Sequence, residues 1–314
     1  MGTTSGPVLA LAGGVGGAKL ALGLSKVLPP DRLVIVVNTG DDEEFHGLHV
    51  SPDLDTVMYT LAGLANPDTG WGLAGESFQT LEMLSNYGAP TWFNLGDKDL
   101  ATHIRRTQLL SQGWSLSQVT QELCQRLGIE HAVVPMSDDE VRTVVDTDDG
   151  PLAFQEYFVH RHCEPRTRAV SFQGAKVAKP SPTFDTALRS ASALVFCPSN
   201  PFLSIDPILA VGDVRERILS FKGPRVAVSP IVGGAALRGP AAKMLEELGH
   251  PVSCVGVAQQ YRGLCDLFVL DQADNAHADA IQSLGMEPHV TNTIMNTDED
   301  KIALAKFIRR LLER

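Results

Sequence analysis

Val8 to Ala12 is an unbroken apolar run, and beyond a cluster of glycines Leu20, Leu24, Val27 and Leu28 recur at i, i+4, i+7 and i+8. The run reads as a buried strand and the recurrence as one face of a helix. A second apolar run, 33–37, follows a short turn. Strand, helix and strand make a βα unit, which implies a parallel sheet with a right-handed crossover. Helical patterning continues over about 55–64, 76–87, 100–112 and 117–127. Gly113 and Gly128 stand just past the last two, where a left-handed cap favours glycine, and Ser115 with Gln118 has the spacing of a capping box. The rhythm changes between 136 and 182, where 141–147 and 152–159 flank Asp148-Asp149-Gly150 and predict a β-hairpin. Strands are then expected at 193–197, 225–229, 252–255 and 267–270, separated by helices, with an amphipathic helix from about Asp298. The sum is one α/β domain over 1–314, a doubly wound, mainly parallel Rossmann-like sheet with a small β-rich insertion at 136–182. Ligands of such folds bind at the carboxyl ends of the strands, so the segments that follow strands carry the chemistry.

Composition narrows the partners. The chain has 314 residues, 44% of them apolar and 20% charged, enough to bury a sizeable core without metal or disulfide staples. A net charge of -11 repels phosphate backbones and anionic lipid at long range, which disfavours nucleic acid and membranes as partners. Any anionic ligand must be held locally. Cys124, Cys163, Cys197, Cys254 and Cys265 are scattered with no CxxC pair, which fits reduced thiols in a cytoplasm. The N-terminus lacks a basic leader region, and Gly6 stands where a myristoylation motif needs Ser or Thr. No apolar stretch approaches the roughly 18 residues that span a bilayer.

Four polar or glycine-rich segments follow expected strands. Gly13, Gly14, Gly16 and Gly17 lead into Lys19 at a helix start, where backbone amides point at a bound anion. The spacing satisfies neither the Walker A loop nor the dinucleotide fingerprint, so the segment is a phosphate-binding turn of a third kind or a tight connection. Asn38 to Glu44 is a dense acidic run after the second strand, and 51–56 places Asp53 and Asp55 at a helix start. Oxygen ligands from two loops suit Mg²⁺ completed by phosphate oxygens, while the alternative for Asp53 is a simple N-cap. At 94–103, Asp97, Lys98 and Asp99 open a helix that carries His103, Arg105 and Arg106, cations able to neutralise a polyphosphate. His103 reads equally as a buried, hydrogen-bonded residue. Pro198-Ser199-Asn200-Pro201 and 229–234 end two further strands, the latter leading to Lys243. No GxSxG elbow and no HExxH occurs, so no covalent nucleophile is demanded. Phosphoryl-type transfer runs on positioning and charge stabilisation alone.

Taken together, GGVGGAK at 13–19, NTGDD at 38–42, SPDLDT at 51–56, LGDKDLATH at 95–103, PMSDD at 135–139, PSNP at 198–201, SPIVGG at 229–234 and GPAAK at 239–243 resemble the CofD/FbiA family, the 2-phospho-L-lactate transferases of coenzyme F-420 biosynthesis. The resemblance implies an enzyme that moves a phosphorylated three-carbon acid (2-phospholactate, phosphoenolpyruvate or phosphoglycerate) from a guanosine diphosphate ester to the terminal hydroxyl of the deazaflavin Fo. GMP is released with Mg²⁺ assistance. It further implies that Asp55, Lys98, His103, Ser199 and Asn200 contact Fo. Gly13, Gly14, Gly16, Gly17, Lys19, Ser229, Gly233, Gly234 and Lys243 would hold the nucleotide. Asp41 and Asp55 would coordinate the metal and act in catalysis, with Asp42 and Asp53 next in line, and Asp55 would accept the hydroxyl proton. A homodimer is implied as well. The family often has Thr or Pro at the positions of Val15 and Gly17, and Arg at that of Lys98, where Lys keeps the charge but loses the bidentate fork. A non-catalytic nucleotide-binding regulator of the YvcK-like type is the alternative.

Overall fold

A computed structural model describes residues 6–236 and 239–313; the N-terminal residues that bear on leader and lipidation signals lie largely outside that range. β1 (Val8–Ala12) and β2 (Leu33–Val37) form where the apolar runs predict them. Their side chains alternate between two cores, as a strand's period of two requires. Leu9, Leu11 and Val36 join Leu194 and Phe196 on one face, and Val8, Ala10, Ala12, Leu33, Ile35 and Val37 join Val195 on the other. α1 (Gly14–Val27) crosses between the strands, burying Leu20 and Leu24.

The central sheet has seven strands, every adjacent pair parallel. From one edge the order is Glu287–Thr291, Leu267–Asp271, Arg225–Val228, Ala193–Phe196, β1, β2 and Ala132–Pro135. The chain therefore winds outward from β1 to one edge, returns, and winds outward to the other. The reversal lies between β1 and Ala193–Phe196, the crevice where doubly wound folds bind ligands. Among the described residues no helix is long and apolar enough to cross a membrane.

The structure departs from the pattern-based expectation in several places. Residues 252–255 form no strand: Ser253 accepts from the Gly256 amide and caps a helix, Cys254–Gln260. A short apolar run cannot by itself distinguish a strand from a buried helix turn. The edge strands Ala132–Pro135 and Glu287–Thr291 were not expected, and Pro135 and Pro288 explain why, since proline demotes a run and survives only where its missing N–H is not needed. In the insertion the second hairpin strand stops at Ala153, a wide helical turn covers Glu156–His160, and a third strand, Thr167–Gln173, completes an antiparallel sheet on Arg142–Thr147. The ends of this segment are stitched together. The Ser137 hydroxyl donates to Lys179 O at 2.7 Å and the Ser181 hydroxyl to Pro135 O at 2.7 Å.

Candidate active site

The site builds outward from the crevice. Gly13 is extended and caps α1, and Gly14 takes φ +59°, a left-handed conformation that favours glycine. Ser199, just past Ala193–Phe196, donates its hydroxyl to Gly13 O at 2.8 Å and accepts from Gly13 N at 3.1 Å. A Cβ on Gly16 would lie 2.2 Å from Pro198 O, and one on Gly17 2.6 Å from Ser199 Oγ. These two glycines thus let the helix approach the turn that follows Ala193–Phe196. The Gly14 amide donates to Asp53 Oδ1 at 2.6 Å, so a carboxylate of the chain itself sits on that amide. Lys19 is half-buried one turn further on. Asn200 turns its side-chain oxygen inward to cap the turn that follows, accepting from Phe202 N at 2.9 Å.

Asn38, at the end of β2, organises the acidic run. Its amide group donates to Asp41 Oδ1 at 3.1 Å, to Asp53 Oδ2 at 3.0 Å and to Leu203 O at 3.3 Å, while its oxygen accepts from Gly40 N. Asp41, Asp42, Asp53 and Asp55 are all buried. Burial, reinforced by the charges of Asp53 and Asp42, pushes the Asp41 carboxyl well above its ordinary range. Burial likewise raises Asp53 to about 6 against the hydrogen bonds from Asn38 and Gly14. Asp42 immediately precedes β3 (Glu43–Phe45), which pairs with β4 (Leu48–Val50), and Ser51 follows β4. Its Oδ2 accepts from the Ser51 hydroxyl at 2.8 Å and faces His49 Nε2 at 3.0 Å, whereas its Oδ1 is buried with no hydrogen-bond partner. Gln155 reaches in from the insertion and donates to Asp41 O at 2.8 Å.

Asp55 stands on α2 (Pro52–Leu61), which Pro52 opens at a position that tolerates a missing amide. It faces helix Asp97–Ser111, α4 here because α3 (Gln79–Asn86) precedes it. The spacing i, i+4, i+7 puts Asp99, His103 and Arg106 on one stripe of α4, opposite Asp55 and Tyr59. Arg106, only 1% exposed, holds both Asp55 oxygens in its guanidinium fork, with Nη1 to Oδ2 at 3.1 Å and Nη2 on Oδ1. Burial raises the Asp55 carboxyl against the opposing pull of Arg106 and His103. His103 Nδ1 lies 3.7 Å from Asp55 Oδ2 and its Nε2 3.4 Å from Asp99 Oδ2. The Tyr59 hydroxyl donates to Asp99 at 2.6 Å. Arg106 is therefore an internal partner of Asp55 rather than a free cation awaiting a polyphosphate. His49 and Tyr59 lie outside the motifs, and Asn38 and Asp99 lie within them with no role assigned from sequence, although the stripe on α4 is visible in the spacing of its charged residues.

Lys98 lies exposed at the start of α4, its ammonium on Ala74 O at 2.9 Å. Glu76 accepts from the amides of Lys98 and Asp99 and so caps α4, and Asp97 caps α3 in return. Ser229 ends strand Arg225–Val228, where it shares a tight turn with Ile231. Gly233 and Gly234 have positive φ, and Gly233 N donates to both oxygens of the buried Asp274 at 3.1 Å. Gly13, Ser199 and Ser229 therefore end three consecutive strands of the sheet at one rim. Lys243 turns toward the insertion instead, contacting Pro165 O at 3.0 Å and Glu247 at 2.6 Å. The metal candidates are not gathered as one chelate. Among the described residues the sole group of three ligand atoms within 4.8 Å of one another is Asp55, Asp99 and His103, and it leaves Asp41 out.

The chain matches the family described as 2-phospho-L-lactate transferase CofD over residues 8–307. It is 44% identical to the phosphoenolpyruvate transferase of Streptomyces griseus over 312 residues, which cover 98% of this chain and 97% of that one. Identity to the 2-phospho-L-lactate transferase of Methanosarcina acetivorans is 37% over 306 residues, 98% and 99% of the two chains. Protein BH3568 of Bacillus halodurans shares the fold, with a TM-score of 0.64 at 17% identity over 97% of this chain and 99% of that one. A family match across nearly the whole length, joined to a doubly wound sheet with its glycine turns and buried aspartates on one rim, makes this chain a member of the 2-phospho-L-lactate transferase CofD family of transferases.

Proposed function

We propose that the protein transfers a phosphorylated three-carbon acid, phosphoenolpyruvate, from its guanosine diphosphate ester to the terminal hydroxyl of the deazaflavin Fo, releasing GMP in coenzyme F-420 biosynthesis in the cytoplasm. The carrying observation is the burial of Asp41, Asp42, Asp53 and Asp55 beside the crevice, with Arg106 among them. Carboxylates packed together out of water are costly to the fold and gather where charge must be handled. The higher identity to the Streptomyces relative supports phosphoenolpyruvate over phospholactate.

Asp41 and Asp42 suit a hard divalent cation: Asp41 sits among other negative charges, and Asp42 Oδ1 is buried without a donor. These two residues would hold Mg²⁺, which when bound supplies charge neutralisation on the diphosphate. Lys19 and the first-turn amides of α1 beyond Gly13 and Gly14, which donate to Ser199 and Asp53, would hold the guanosine phosphates. Lys98 and Asp55 would orient Fo, Lys98 from its anchor on Ala74. With both oxygens in the Arg106 fork, Asp55 is fixed in direction and serves to aim the acceptor hydroxyl rather than to take up its proton. Exposed apolar side chains at Leu64, Trp71, Phe78, Met83 and Tyr87 support a homodimer through this part of the surface.

The test is to incubate the purified protein with Fo, Mg²⁺ and each of the three guanosine diphosphate esters, following GMP and the phosphodiester by mass spectrometry. Both products are expected, fastest with phosphoenolpyruvate. Tight binding of guanosine nucleotide with no turnover of any donor would instead assign a regulator.

A further inference from the structure

The tight group of Asp55, Asp99 and His103 has the composition of a divalent metal site, two carboxylates and an imidazole with ligand atoms within 4.8 Å of one another. Yet a guanidinium already sits against two of its three members, Asp55 and His103. Arg106 Nη1 lies 3.1 Å from Asp55 Oδ2 and 3.3 Å from His103 Nδ1, and Nη2 holds the other Asp55 oxygen. The same Nη1 is 3.4 Å from His49 O. His49 in turn faces Asp42, so one buried cation ties the α2 carboxylate to the strand that positions Asp42.

This is an unusual way to fill a helix interface. A buried ion pair often contributes no more than well-packed apolar residues of similar volume, and here Arg106 Nε is buried without a hydrogen-bond partner while His103 Nε2 faces only Asp99 Oδ2, at 3.4 Å. The arrangement leaves a guanidinium nitrogen unsatisfied, and in exchange keeps a permanent positive charge against Asp55. A dication beside a fixed guanidinium meets like-charge repulsion at short range and low local dielectric.

We propose that Arg106 is the built-in cation of the Asp55, Asp99 and His103 group and excludes divalent metal from it, so that Asp55 acts as a fixed carboxylate while the metal is left to Asp41 and Asp42. The last clause rests on the metal placement proposed above, whereas the exclusion does not. Arg106 is thus a positioning residue that also determines which of two neighbouring acidic groups a metal can enter.

The experiment counts Mn²⁺ bound per chain by equilibrium dialysis, with electron paramagnetic resonance on the same samples, for the full-length protein and its variants. Arg106→Met is expected to bind one more Mn²⁺ than wild type. Arg106→Lys, which keeps the charge, should retain the wild-type count, and His103→Ala in the Arg106→Met background should remove the added ion. A folded Arg106→Met with the wild-type count overturns the proposal. Should Arg106→Met fold only when Mn²⁺ is present, the ion has replaced the guanidinium and the proposal stands. If it does not fold at all, His103→Ala in the wild-type background decides: an unchanged count supports exclusion, and loss of a bound ion refutes it. A wild-type count of zero with a variant count of one upholds the exclusion and removes the Asp41 and Asp42 metal site, so the two readings fail separately.

Discussion

Because a methyl group at Gly16 would meet Pro198 O at 2.2 Å, a rigid backbone neighbour, Gly16→Ala is expected to destabilise the protein by about 2 kcal/mol in urea titrations without nucleotide. Gly14→Ala should cost about 1 kcal/mol for a different reason, its φ of +59°. The glycines were legible as a tight turn at a helix start, but what crowds Gly16 and Gly17 is a segment more than 180 residues away in sequence, which no local pattern reveals. Asp41 offers a test of charge. Its carboxyl titrates above the unfolded value when the protein is folded, so the fold favours the neutral form, and that preference becomes a penalty as pH rises from about 4 through the raised value. In metal-free buffer Asp41→Asn should therefore raise stability at pH 8, and the gain should vanish toward pH 4. An unchanged difference across that range, measured by thermal unfolding, would contradict the electrostatic account. The same variant should lose transferase activity.

At the level of elements, the interlock between α3 and α4 controls Lys98. Removing the Glu76 carboxylate frees the Lys98 and Asp99 amides that it accepts from. Glu76→Ala is expected to raise the KM for Fo several-fold while leaving the KM for the guanosine ester unchanged, and to speed hydrogen exchange in the first turn of α4. Ser115→Ala, which dismantles the capping box of helix Leu116–Arg126, should cost about 1 kcal/mol and leave activity intact. That box, β1, β2 and the C-terminal helix Asp298–Leu312 were all readable, because each combines strong periodicity with local punctuation. The failures share a physical cause. At 252–255 the apolar run is too short to show a period, and in the two edge strands proline masks a pairing that tertiary context permits. The acidic site was half legible: Asp41, Asp42, Asp53 and Asp55 stood out as a run, while Arg106 looked like a ligand for external anions until α4 packed it against Asp55.

For the molecule as a whole, size-exclusion chromatography with light scattering should give a dimer mass, and Tyr87→Glu with Trp71→Glu should shift it to the monomer without unfolding the chain. Both residues are exposed, at 78% and 47%, so neither supports the core. Strand order carries a further consequence. β1 is the first described strand yet lies in mid-sheet, and one of its two neighbours, Ala193–Phe196, is made some 180 residues later. The Gly13 to Ser199 pair therefore cannot close while the polypeptide is still emerging from the ribosome with only its first half made. A nascent chain can complete β1, α1 and β2 and still possess no crevice. Catalytic competence should thus appear abruptly, late in synthesis, and a chain interrupted before residue 193 should be inert however well its first half folds.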